Sequence, residues 1–255
     1  MIEKISFRTN HDLYTNIVRR SNTLGIDKIK NILRKKATIF QTGGKRPDLS
    51  INESWIGKIT YSLPNETYPL DRYEDKMYAI MMMNLTQLPF VPEALKDRKA
   101  IAVFLSPNFT KDLSNLSGNF CIREYDSLEK LVPNEMLLTF QNLKPFPLIP
   151  KLVSDEFPLW DTDDFPHTIE DKIIELEDTT GIEYYDDIFE ENRYKHKLGG
   201  YASFAQLGIR WPADYEFVFQ ITEDPKAHFG IIHGGGIYFA KNVKTNDWIA
   251  HCDFL

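Results

Sequence analysis

The sequence predicts an α+β protein: internally duplicated β-rich units that form mostly antiparallel sheets with a shared core, N-terminal helices and an acidic helical connection. Three observations carry this expectation. Apolar runs of strand length dominate residues 51–126 and 196–255. The glycine-cornered stretch Lys197-Leu198-Gly199-Gly200 is echoed by Trp55-Ile56-Gly57-Lys58, 142 residues earlier. Helical periodicity is confined to the N-terminal residues and to the acidic stretch ahead of His196. The division expected is a single domain over 1–255. It holds N-terminal helices over 1–36, a first β repeat over 51–126, a Pro-rich and acidic helical connection over 127–195, and a second β repeat over 196–255.

Composition narrows the class. Hydrophobic residues make up 42% and aromatics 13% of the 255 positions, which suits a folded chain with a sizeable core. No apolar run reaches the roughly 18 residues of a membrane span, and the start lacks a signal-peptide core. With only Cys121 and Cys252, no disulfide framework is implied, and a cytoplasmic location is the expectation. The net charge of -7 is unevenly spread. Met1 to Ser50 holds 11 Lys/Arg against 4 Asp/Glu, and Asp155 to Glu191 holds 15 Asp/Glu against Lys172 alone. Either the two segments screen each other and solvate helix faces, or the acidic one meets a basic partner.

In chain order, Asn10 caps a helix to Leu24 with Gly25 as its stop. Ile26, Ile29 and Leu33 set a second helix to Lys36. Its Arg34-Lys35-Lys36 end suits a helix C-terminus and is too short a basic cluster for a nucleic-acid reader. Ala37–Phe40 reads as a strand. Gln41–Asp48 is loop, and its Gly43-Gly44-Lys45 lacks the phosphate-loop spacing. Strands follow at Ile59–Leu63, Tyr78–Leu85 (an unbroken apolar run, hence buried on both faces), Lys99–Leu105 and Asn119–Tyr125. The methionines Met81, Met82 and Met83 read as core filler rather than a copper site, since no His or Cys accompanies them.

Ser127 caps a short helix that breaks at Pro133, and another starts near Asn134. Pro145, Pro147, Pro150 and Pro158 then make the chain irregular. Thr168 with Asp171 resembles a capping box, Ile169, Ile173 and Leu176 share a face, and Gly181 ends that helix. A second helix is expected over Ile182–Arg193, with Tyr185, Ile188 and Phe189 inward. After the double glycine, Tyr201–Gln206 reads as a strand. Tyr215–Thr222 follows, with Phe217, Phe219 and Ile221 on one face. Ile237–Ala240 and Trp248–Phe254 complete the set.

Four stretches recur in order. Trp55-Ile56-Gly57-Lys58 lies over Lys197-Leu198-Gly199-Gly200, and Met81-Met82-Met83-Asn84 over Phe219-Gln220-Ile221-Thr222. Ala102-Val103-Phe104-Leu105 lies over Ile237-Tyr238-Phe239-Ala240, and Phe120-Cys121 falls near Trp248 to Cys252. The pattern resembles the YwqG-like family, a bacterial domain of unknown function. The likeness rests on His196-Lys197-Leu198-Gly199-Gly200-Tyr201 with Gln206, on Phe219-Gln220-Ile221, and on Gly234-Gly235-Gly236-Ile237-Tyr238-Phe239. In the first half it rests on Ser54-Trp55-Ile56-Gly57, Met83-Asn84-Leu85 with Leu88-Pro89, and Ala102-Val103-Phe104. It spans about Ala37 to the C-terminus. The chain departs from the family at Ala202, where a proline is usual, at His233-Gly234-Gly235, where Trp-Gly-Asp is frequent, and at Gly57-Lys58, where Gly-Gly stands. The resemblance implies an α+β fold with internal pseudo-symmetry and no established reaction. Some relatives resemble immunity-type proteins encoded beside bacterial toxins.

Chemistry-bearing motifs are sparse. His228, His233 and His251 with Cys252 and Asp253 form the densest group of potential ligands, but no spacing matches a zinc motif and adjacent strand residues point apart. Ser203 is not in a G-x-S-x-G elbow. Glu216 and Gln220 could line a cleft, yet no carboxylate partner is evident. No catalytic residue, cofactor or metal is expected. His196, Gly199, Gly200, Gln206, Gln220 and His233 are the candidate ligand-binding residues; His196 would hold the turn by bonding backbone carbonyls, with Gln206 and Gln220 in the same network. The expected function is a non-catalytic interaction protein, in the immunity-type sense, whose Asp155–Glu191 surface meets a basic protein partner. The alternative is a small-molecule-binding protein or hydrolase with its site at the Gly-rich turns. No nucleic-acid or membrane partner is expected.

Overall fold

The structure, a computed structural model, describes residues 25–140, 142–160, 162, 165–206, 208–230 and 234–254. It divides into two compact units. The smaller comprises the described part of Met1–Arg34 together with Phe165–Glu191; the larger comprises Lys35–Asp164 and Asn192–Leu255.

The larger unit is built on one ten-stranded sheet in which all paired neighbours run antiparallel. Its strands are β1 (Lys35–Thr42), β2 (Ser54–Ile56), β4 (Tyr78–Asn84), β5 (Ala100–Leu105), β6 (Phe120–Tyr125), β8 (Phe146–Glu156), β9 (Lys197–Gly199), β10 (Tyr215–Thr222), β11 (Gly236–Asn242) and β12 (Trp248–Asp253). A two-stranded ribbon, β3 (Ile59–Ser62) with β7 (Val132–Met136), stands apart from it. From one edge the order is β6-β5-β4-β2-β8; from the other it is β12-β11-β10-β9-β1. The unit is thus β-rich, and a single continuous sheet replaces the separate sheets expected.

The sheet folds over about its central β1–β8 pair, so the two halves face each other across one core. Met81, Ile101 and Val103 from one half and Phe219, Ile237 and Phe239 from the other belong to the same buried cluster. The Phe120 and Phe239 rings meet edge-on at 5.6 Å. At the rim of this contact Glu124 of β6 accepts from Trp248 Nε1 at 2.7 Å and from Lys241 Nζ at 2.9 Å. The outer faces are covered differently. Ile59 and Met136 of the ribbon pack on Ala79, Met82 and Ala102, whereas Ala202 and Phe204 pack on Tyr238.

Registers place Ile56 opposite Met81 and Leu198 opposite Phe219. Each long strand carries a bulge at the corresponding place, between Ala79 and Met81 in β4 and between Phe217 and Phe219 in β10. A bulge adds one residue and reverses side-chain alternation. Phe217 therefore does not share the face of Phe219 and Ile221, as expected, but packs beside Phe204 and Tyr238. The expected overlay of Ala102–Leu105 on Ile237–Ala240 is one residue out: Val103 faces Met81 as Phe239 faces Phe219.

The strand expected after the Gly57 turn is present as β3, and each glycine corner is also led into by a short strand, β2 before Gly57 (φ +84°) and β9 ending at Gly199 (φ +80°). Other expectations fail for definable reasons. Tyr201–Gln206 is not a strand but a cover for the second half. The helices expected after Ser127 and near Asn134 give way to β7, whose pairing with β3 closes the first half's outer face. The Pro-rich run is not irregular: β8 passes through Pro147 and Pro150 at the centre of the sheet. Proline removes one ladder donor, and the Pro147 carbonyl still accepts the Gly43 N–H at 2.8 Å.

In the smaller unit, residues 25–33 are helical, with Ile29 and Leu33 buried. The helix expected over Asn10–Leu24 lies outside the described residues, and Gly25, its expected stop, is itself helical. The second helix ends before Lys36, since β1 already begins at Lys35. Helix α1 (His167–Thr180) buries Ile173 and Leu176 and stops at Gly181, φ +70°. Pro166 stands at its N-cap with no side-chain bond, so Thr168 is no cap. The helix expected over Ile182–Arg193 is a single π turn at Tyr184–Ile188 that buries Tyr184 and Ile188 and leaves Tyr185 51% exposed. Arg34 donates to Glu190 at 2.6 Å, so part of the basic N-terminal charge is neutralised by the acidic segment.

Candidate functional site: a cleft beside the central strands

The larger unit carries a cleft of about 620 Å³, bounded by Ile39–Thr42 of β1, Ile149–Lys151 of β8, Lys195 and His196 ahead of β9, and Thr222–Lys226 after β10. That is the size of a small-molecule site. The two central strands supply its floor through the pairs Ile39–Lys151 and Gln41–Ile149.

His196 is buried and held at both ring nitrogens. Nδ1 accepts the Thr222 backbone N–H at 3.1 Å. This places the proton of the neutral ring on Nε2, which donates to Asp224 Oδ2 at 3.1 Å. The Thr42 hydroxyl donates to the same oxygen. Asp224 Oδ1 accepts the N–H groups of Lys226 (2.9 Å) and Ala227 (3.0 Å). Burial alone would raise the Asp224 carboxyl; the hydrogen bonds from His196, Thr42 and Ala227 outweigh it and hold the group well below the usual carboxylate range. With both nitrogens used, His196 has no lone pair left for a substrate proton. The dyad pins the Thr222–Lys226 turn to β9.

Three lysines and two acids border the cleft. Lys151, Lys195 and Lys226 are exposed on its walls. Among the described residues no carboxylate lies within ion-pair distance of any of the three. The two acids of the cleft turn toward their own chain: Asp224 as above, and Glu223, whose Oε2 accepts the Gly234 N–H at 2.9 Å.

Of the five described residues among the six expected to bind a ligand, only His196 borders the cleft. Gly199 and Gly200 lie against filled space. A Cβ on Gly199 would stand 2.5 Å from Phe90 Cε1, and one on Gly200 3.0 Å from Glu156 Cγ. Gln220 belongs to a buried structural network: its Oε1 accepts the Ser203 N–H at 3.0 Å and its Nε2 donates to the Lys195 carbonyl at 3.0 Å. Gln206 does not join that network; its backbone N–H donates to Asp253 Oδ2 at 3.1 Å. His233 lies outside the described residues. His196 does not bond turn carbonyls, as expected, but Asp224 and a backbone N–H. Ser203 Oγ donates toward Asn192 Oδ1 at 2.5 Å and lies 2.8 Å from the Arg193 carbonyl, so it is no poised nucleophile. Among the described residues no three His, Cys, Asp or Glu side chains are grouped to hold a metal.

Sequence reading missed Thr42, Asp224 and the three lysines. Asp224-Pro225-Lys226 is a legible turn signal, but nothing local ties it to His196. It also missed the pair beneath the glycine corner, where the wholly buried Lys197 donates to Glu156 at 2.5 Å and to Asn192 at 3.0 Å.

Fold and site together define a β-rich protein with a lysine-walled cleft beside the middle of one folded-over sheet. No protein-family model matches the chain, and no curated protein matches it either. Among the described residues no helix is long and apolar enough to cross a membrane.

Proposed function

We propose that this chain is a small-molecule-binding protein whose site is the cleft beside β1 and β8, without acid–base chemistry of its own. The observation that carries this is the state of His196: among the described residues it is the histidine that borders the cleft, and it spends both nitrogens on Thr222 and Asp224. A thermal-shift screen tests it. Ligands stabilise the state they bind, so a hit should raise Tm in the wild type and not in Gln41→Trp, which fills the cleft from an exposed position. Hits that survive Gln41→Trp would contradict the reading.

We further infer an internal duplication, in keeping with the YwqG-like resemblance and its α+β fold. Shared strand order, paired bulges and matching registers support it. So does a hydrogen bond found at both corners: Ser54 Oγ accepts the Asn84 N–H at 3.0 Å, as His196 Nδ1 accepts that of Thr222 at 3.1 Å.

A second reading keeps the cytoplasmic, immunity-type interaction protein that engages a basic protein through Asp155–Glu191. Exposed acids such as Glu175 and Asp186 favour it. Such a complex would weaken as salt rises. A low-salt pull-down that recovers no basic protein would count against it.

A further inference from the structure

Several lysines elsewhere in the larger unit have carboxylate partners. Lys197 meets Glu156, Lys241 meets Glu124, Lys45 meets Glu53 and Lys58 meets Glu135. What sets the cleft apart is that three ammonium groups without a carboxylate partner among the described residues border one cavity. Lys226 is also positioned: its Nζ stands 5.6 Å over the Phe146 ring and closes on Gly43, where a Cβ would lie 2.9 Å away. The cleft acids are engaged by their own chain: Asp224 receives His196, Thr42 and two backbone N–H groups, and Glu223 Oε2 receives the Gly234 N–H. Beside the lysines lie Ile39, Ile149 and Pro225.

From this juxtaposition we propose that the cleft takes an organic anion, a carboxylate or phosphate ester with an apolar body, whose charged end is held by Lys151, Lys195 and Lys226 while its body lies on Ile39 and Ile149. The proposal rests on the cleft being the ligand site. Lysine meets such groups as a flexible point charge with three donors, so carboxylates and phosphates are both admitted. Charge-assisted bonds are shorter and stronger than neutral ones.

The test is calorimetric titration of the whole protein with phenyl phosphate, benzoate, benzyl alcohol and benzylamine, at low and high salt. Phenyl phosphate and benzoate are expected to bind, benzyl alcohol and benzylamine to bind more weakly, and salt to weaken only the anions. Replacing Lys151, Lys195 and Lys226 together by alanine should weaken the anions by about tenfold or more. Replacing Lys76, Lys99 and Lys130, outside the cleft, should change nothing. All six side chains are exposed, so neither variant should lose its fold. A phosphate-only or carboxylate-only response would identify which head group is held. Anions that bind no better than benzyl alcohol, or that ignore the cleft lysines, would overturn the anion proposal. If Gln41→Trp still abolished that binding, the cleft would stand as the site for a neutral ligand. Binding untouched by Gln41→Trp would overturn both.

Discussion

Gly199→Ala is the sharpest perturbation of the glycine corner. The new Cβ would stand 2.5 Å from Phe90 Cε1 and 3.2 Å from the Lys36 carbonyl, on a residue with φ +80°. A positive φ costs an alanine about 1–2 kcal/mol, and an overlap in a packed region about 1–3 kcal/mol more. Phe90 is itself fixed, since its N–H donates to Thr38 Oγ1 at 3.1 Å and Thr38 donates back to its carbonyl at 2.7 Å. The sum is about 2–5 kcal/mol, a large part of a typical domain's 5–15 kcal/mol. Gly57→Ala should fall in the same range, its Cβ meeting the Lys144 carbonyl at 2.9 Å on a φ of +84°. Urea unfolding followed by tryptophan fluorescence measures both, with the change read from the midpoint at constant slope. A loss under about 1 kcal/mol at Gly199 would refute the idea that these corners are packed shut, and with it the removal of Gly199 and Gly200 from the binding residues.

Three further outcomes are expected. Lys197→Met should cost about 1–3 kcal/mol in urea unfolding, because it strips buried Glu156 of its ammonium partner and leaves it Arg193 alone, while Lys195→Met should stay within about 0.5 kcal/mol. Asp71, whose carboxyl is lowered to about 2 by Ser106, Asn108 and backbone donors against the opposing effect of burial, gives stability that is present above its ordinary 3.8 and lost as pH falls through about 2. Asp71→Asn should therefore lower stability at neutral pH by about 1–2 kcal/mol and flatten the acid limb of an unfolding-versus-pH series. Burial pushes the Cys252 thiol up to about 12 and raises half-buried Cys121 as well, so a disulfide reagent at pH 8 should label both slowly until urea is added; fast labelling of Cys252 in the folded protein would contradict its burial.

The strands were legible where one residue run decides its own fate. Ala79–Met83 and Ile237–Ala240 are apolar throughout and are buried on both faces. The order of the strands along the chain was legible too, from β4 to β6 and from β10 to β12. What escaped depended on partners distant in sequence. Phe217 leaves its expected face because of a bulge that no local residue announces. Pro147 and Pro150 argue locally against a strand, and only the flanking β1 and β2 make β8 a central one. The site follows the same rule. His196 was singled out from its place beside the glycines, but its function there is fixed by Asp224, 28 residues on, and by Thr42 of β1. Lys151 and Lys195 look like ordinary surface charge until the fold brings them to one cleft.

Methyl NMR of isoleucine-labelled protein titrated with phenyl phosphate tests the site most directly. The account predicts shifts at Ile39 and Ile149, which border the cleft, and none at Ile101 or Ile237 in the closed core. Shifts confined to isoleucines away from β1 and β8, with Ile39 and Ile149 unmoved in a saturated complex, would contradict it.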